Sequence, residues 1–128
     1  MSEDIYTLDK LLQDMASTYT RQISLPKFTK SPYSICIVDL QSQQYYFQFY
    51  WNNRHQRCYL SIFRLEDGVR KYYLKNKSLK IGLNLSKYVY NEDWEGVLRV
   101  DSYTNNAYDD YTMSDIHEKI ILTYYGSA

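Results

Sequence analysis

The chain has 128 residues, 45% hydrophobic and 23% charged, with 16 tyrosines and a formal net charge of zero. That length suits one domain that buries its core without metal or disulfide staples. No apolar run approaches the roughly 18 residues a membrane span needs, and the acidic opening MSEDIYTLDK lacks the basic region of a signal peptide, so a soluble chain made in a cytoplasm is expected. Cys36 and Cys58 belong to no CxxC pair, which predicts buried thiols rather than a disulfide or a zinc site.

The zero net charge hides a segregation. Residues 1–20 hold one Lys/Arg against four Asp/Glu, residues 21–90 hold 12 against three, and residues 91–128 hold two against eight. A basic middle between acidic ends marks a nucleic-acid or membrane contact, complementary faces between copies, or signs interspersed once the chain folds.

In chain order, Ile5, Leu8, Leu11, Leu12, Met15, Ala16 and Tyr19 recur at three and four, which predicts an amphipathic helix. Ser2, Glu3 and Asp4 suit its start. Its apolar stripe packs on its own domain or on a neighbouring subunit, and residues 1–22 are read as a helical arm ahead of a β-rich domain over 23–128. Past Pro26 and Pro32 strand logic takes over. YSICIVDL (33–40) is apolar and β-branched, and QSQ turns the chain into YYFQFYW, where Tyr45, Phe47, Phe49 and Trp51 alternate with Tyr46, Gln48 and Tyr50. The loop NNRHQR leads back through CYLSIFRLE, and the Asp67-Gly68 turn opens VRKYYLK, a three-stranded meander. SLKIGLNL reads as a short strand interrupted by Gly82, GVLRV (96–100) as another, and EKIILTYY (118–125) as the last. DSYTNNAYDDYTM (101–113) reads as a long polar loop of the kind that often carries contacts. The fold expected is mainly β, an antiparallel sandwich or barrel with one N-terminal amphipathic helix. Its core is assigned to Tyr45, Phe47, Phe49, Trp51, Leu60, Ile62, Val100 and Ile121.

Catalytic patterns are absent. His55 lies between Arg54 and Arg57, whose charges oppose a further cation, and His117 has acids at no ligand spacing. Four glycines make no phosphate cradle, the acidic loop lacks the Gly and terminal Glu of a calcium loop, and NLS at Asn84 is a sequon only in a secreted chain. No enzyme activity, cofactor or metal is expected. The aromatic run raises a second possibility, a β-barrel that stacks single-stranded nucleic acid on its rings. Against it, period two puts the 45–51 aromatics mostly on one face, as a core requires, and no RNP string is present.

The stretch YYFQFYWNNRHQRCYLSIFRLEDG, with its alternating aromatic strand, W-N-x-R-x-x-R, YL strand and Asp-Gly turn, resembles small phage tail proteins of the cyanophage baseplate-plug type. LKIGLNLSKY, WEGVLRVDS, YTMSDIHEKIILTYYG and the early ISLP continue the likeness in order over residues 23–126. The helix precedes the family's usual start, and Cys58 stands where an aromatic is common. The resemblance implies a non-catalytic structural part of a contractile tail, placed in the virion at the baseplate end near tube and hub. It implies multiple copies in a symmetric assembly with other tail proteins; a ring-like homo-oligomer is expected from the charge pattern, and neither membrane nor nucleic acid is expected as partner on the residues themselves. Complementary basic and acidic patches suit such contacts, as does tyrosine at wet interfaces. The candidate intersubunit residues are Arg54 and Arg57 at the hairpin tip, outward Tyr46 and Tyr50, and Asp101, Asp109 and Asp110. A small antagonist that blocks a bacterial enzyme through a Tyr-rich surface is the third reading.

Overall fold

The computed structural model describes residues 19–29, 31–89, 91, 93–103 and 111–126. Two antiparallel sheets pack as a sandwich. The first, in the order β1-β7-β6, comprises β1 (Tyr19–Ser24), β7 (Ile120–Gly126) and β6 (Val97–Ser102). The second is a meander of β2 (Tyr33–Leu40), β3 (Gln43–Asn52), β4 (Arg57–Glu66) and β5 (Val69–Ser78). The expected three-stranded meander thus gains YSICIVDL as its fourth, outermost strand.

Local chemistry places the turns. Gln41 and Ser42 both take positive φ, 56° and 58°, and so do Asp67 and Gly68, 53° and 78°. Two consecutive left-handed residues match the right-handed twist of a tight hairpin. Glycine supplies that geometry without strain at position 68, whereas Gln41 and Ser42 adopt it although neither is glycine, asparagine or aspartate.

Period-two alternation then decides what is buried. In β3, Tyr45, Phe47, Phe49 and Trp51 are all buried while Tyr46, Gln48 and Tyr50 between them are partly open. Phe47 lies opposite Ile62 and Phe49 opposite Leu60. From the facing sheet Ile23, Leu98, Val100, Leu122 and Tyr124 complete one continuous core. Ile121 is buried as well, though outside that cluster. Alternation fails in β5, where neighbours Tyr73 and Leu74 are both buried. The ladder slips there: Leu60 pairs with Lys77 but Ile62 with Leu74, and Phe63 with Tyr72. The extra residues form bulges, which re-aim side chains. Asn76 takes φ 49° at the bulge, and its N–H donates to Ser61 Oγ at 2.9 Å.

Several expectations change. The helix expected over residues 3–20 lies outside the described set up to residue 18, and its last two expected residues, Tyr19 and Thr20, open β1 instead. Residues 19–22 of the arm pair with β7, Tyr19 with Gly126 and Gln22 with Thr123. A spacing of three or four cannot tell a helix end from an alternating strand over its last two residues. SLKIGLNL is not a strand of its own: Ser78 ends β5, Asn84 makes an isolated bridge to Arg99, and Leu85–Tyr88 is a 3-10 turn capped by Asn84. Ser86 there accepts from Leu98 N at 2.7 Å, so side chains tie down what the ladder leaves open. A helical turn, Ile116–Lys119, precedes the last strand, which begins at Ile120 rather than 118.

Phe47→Ala is expected to cost about 3 to 5 kcal/mol, since a fully buried ring leaves a cavity between two sheets. Chemical denaturation of both proteins measures it, and an unchanged midpoint would remove Phe47 from the core.

Candidate functional site

The outward side of the meander is the largest feature left to explain. Its rows follow from register: Tyr33–Tyr50–Tyr59, then Ile35–Gln48–Ser61, then Ile37–Tyr46–Phe63–Tyr72, then Asp39–Gln44 with Leu65–Arg70 beyond. Tyr33 and Tyr50 stack at 4.8 Å, and Tyr46 and Phe63 at 5.1 Å with their planes 3° apart. Cations lie over the same rings. Arg70 is 4.4 Å from the Phe63 centroid and Lys75 4.9 Å from that of Tyr72. The stems of such cations cover apolar surface while their charges stay in water, which makes a face both apolar and basic.

At the β3–β4 end, Tyr50, Asn52, His55, Tyr59 and Asn76 line a shallow pocket of about 250 Å³. His55 Nδ1 sits 2.9 Å from the Tyr59 hydroxyl, and its backbone N–H donates to Asn52 Oδ1 at 3.0 Å. His117 lies elsewhere, its Nε2 3.6 Å from Glu118. Among the described residues no cluster of three or more His, Cys, Asp or Glu side chains could hold a metal ion. Cys36 and Cys58 are free thiols, Cys58 fully buried.

The candidate contact residues do not share one surface. Tyr46 and Tyr50 lie on the aromatic face, and exposed Arg54 is at the hairpin tip beside it. Arg57 is half-buried instead, its guanidinium 6.0 Å from the Tyr111 ring. Asp101 belongs to β6 in the other sheet, not to the long loop, and pairs with Arg99 at 3.6 Å. Asp109 and Asp110 lie outside the described residues.

Tyr111 is the residue that pattern reading missed. It stands in the polar stretch 101–113, yet it is buried, meets Trp51 edge-on at 6.0 Å and donates to Leu79 O at 2.7 Å. The opposite end of the sandwich is closed by Trp94, edge-on to Tyr45 at 5.3 Å and to Tyr124 at 6.1 Å. Gly96 lets this plug close: with φ 87°, a Cβ there would lie 2.5 Å from Tyr125 O and 2.8 Å from the Tyr124 ring. Tyr111 is one of three tyrosines in the stretch 101–113 and nothing local set it apart, whereas Trp94 among acids offered a signal.

An ion network flanks that plug. Asp93 accepts from Tyr73 Oη at 2.8 Å and Lys71 Nζ at 3.0 Å, and Lys71 also meets Glu66 at 3.5 Å. Partial burial opposes ionisation of Asp93, but the bonds from Tyr73 and Lys71 outweigh it and hold the carboxyl below its usual range. Burial pushes the Tyr45 phenol and the Cys58 thiol each up to about 12.

This fold and face define a β-sandwich binding or structural module, with its exposed chemistry in rings and cations. Residues 20–127 match the family model described as cyanophage baseplate Pam3 plug gp18. The chain therefore belongs to that family, and is a bacteriophage tail baseplate protein of structural type. A search among curated proteins found no match.

The buried acids set an alkaline limit. Cys58 and Tyr45 lose their protons in the unfolded chain near 9 and 10 but only near about 12 when folded. Between those values the unfolded state binds fewer protons, so stability falls as pH rises. Urea midpoints should hold up to about pH 8.5 and decline from there towards pH 12, more shallowly in Cys58→Ala after its own cavity cost is subtracted. An equal slope in the variant would exclude the thiol.

Proposed function

We propose that the protein is a structural subunit of a contractile phage tail, set at the baseplate end beside tube and hub. In this reading the outer face of the meander receives a neighbouring baseplate protein, and several copies work together in a ring-like arrangement. No chemistry is asked of it. The observation that carries the reading is the family match over residues 20–127. The face supports it physically. Tyrosine and arginine dominate the hot spots of protein interfaces, and rigid stacked pairs such as Tyr33–Tyr50 lose little entropy when covered. Arg54 at the rim would steer an acidic neighbour rather than anchor it.

The stacking also argues against single-stranded nucleic acid. Bases need an unoccupied ring face. Here Tyr33 and Tyr50 cover one face of each other, Tyr46 and Phe63 do the same, and cations lie over Phe63 and Tyr72, which reduces the ring surface open to bases.

Complementation of a phage lacking this protein tests the proposal. Tyr50→Ala should fold with a loss of about 1 kcal/mol, the worth of one stacked pair, while its incorporation into virions drops tenfold or more, by about 1.4 kcal/mol of lost docking energy. Incorporation at the wild-type level would reject the face as the docking surface. Binding of an oligonucleotide by the purified protein with a steep salt dependence would replace the proposal by the nucleic-acid reading.

A further inference from the structure

The two edges of the meander are built differently. β5 carries Arg70, Lys71, Lys75 and Lys77, and its ladder is broken by bulges. Charge and bulges are how sheets keep other strands from adding to an edge. β2 has neither defence: Asp39 is its one charged residue, and its register with β3 runs unbroken from Tyr33 to Leu40.

Hairpin geometry tells which backbone groups β2 presents. A two-residue turn at Gln41 and Ser42 makes Leu40 and Gln43 the closing hydrogen-bonded pair, so even-numbered residues bond β3 and odd-numbered ones face away. Two contacts agree. Pro32 O accepts from Trp51 N at 2.8 Å on the β3 side, and Asp39 O accepts from Arg21 Nη1 at 3.1 Å on the open side. The N–H of Tyr33 is taken by Ser31 Oγ at 3.2 Å. Between these capped ends lie the N–H and C=O groups of Ile35 and Ile37, with which no strand pairs among the described residues. These two residues are 50% and 52% exposed, and Tyr33 is 56% exposed.

We propose that a second copy of the chain adds its own β2 to this edge, antiparallel about a two-fold axis through Ile35. The axis sets Ile35 against Ile35 of the second copy, Tyr33 against Ile37, and Asp39 against Ser31. Every central cross-strand pair is apolar and no charge meets its like. The N–H of Ile35 reaches the second copy's Ile35 carbonyl, and that of Ile37 the Tyr33 carbonyl, each made twice by symmetry. Centring on Cys36 would set Tyr33 against the carboxylate of Asp39 rather than against Ile37. Centring on Ile37 would place Ile35 against Asp39 and require the carbonyl that Arg21 already holds. The contact is isologous and closes on itself, so it yields a pair rather than a fibre, and it joins two meanders into one continuous sheet. It needs nothing from the phage reading, since it concerns the isolated protein, and virion incorporation reports on that reading separately.

The test is the mass of the purified full-length protein by light scattering over a range of concentrations. The wild type should dimerise. Ile35→Lys and Ile35→Glu should each weaken the dimer about 100-fold, because a charge at the two-fold faces its own copy. An equimolar mixture of the two should return to the dimer mass, within about tenfold of the wild-type affinity, because opposite charges now meet. That recovery also shows that both variants fold. A wild type that stays monomeric, single variants that dimerise like the wild type, or a mixture that remains monomeric would each overturn the proposal.

Discussion

The alternation of bulk along β3 is the constraint on which the rest of the molecule depends. Four large rings, Tyr45, Phe47, Phe49 and Trp51, project from one face of one central strand. Sheets packed face to face lie about 10 Å apart, so rings of this size leave room for little beyond aliphatic side chains opposite them. β6 and β7 supply those as Leu98, Val100, Ile120 and Leu122, with one ring, Tyr124, set against Trp94. The two end rings then reach past the aliphatic layer. Each finds an aromatic closure from a connecting segment, Trp94 against Tyr45 and Tyr111 against Trp51. The long connections are thereby part of the core and not merely links between strands.

The same strand dictates the outer surface. Every residue that is not turned inward is turned outward, and the outward set of β3 and its neighbours is again rich in tyrosine. Stacking these rings in pairs and laying cations across them keeps a half-apolar face compatible with water until a neighbour covers it. A family of baseplate components is where such a face has a use, because a subunit there is surrounded by others. The charge segregation along the chain takes a mixed form in space. Lys71 and Arg64 from the basic middle meet Asp93 from the acidic end within one molecule, so part of the apparent complementarity is spent internally.

Legibility in the sequence followed the range of the interactions. The β3–β4 hairpin and the Asp67-Gly68 turn were readable because pairing and turn chemistry act between residues close in the chain. The bulge that buries both Tyr73 and Leu74 was not, since a slip in register depends on Ser61 of the next strand receiving Asn76. Arg57 looked like a hairpin-tip cation and is half-buried because Tyr111, far along the chain, comes to rest beside it. Asp101 looked like a loop acid and became a strand residue because β7 was there to pair with it.

What the sequence by itself determined was the class of the fold, the inward face of its central strand and its likeness to the baseplate plugs. These rest on period-two patterning and on ordered local motifs, which need no knowledge of distant contacts. Only the tertiary structure decided which strands share a sheet, which connections plug the ends, and that β2 stands at an edge with its isoleucines open. An edge is a property of the neighbours a strand lacks, and the apolar, β-branched residues of β2 do not announce one.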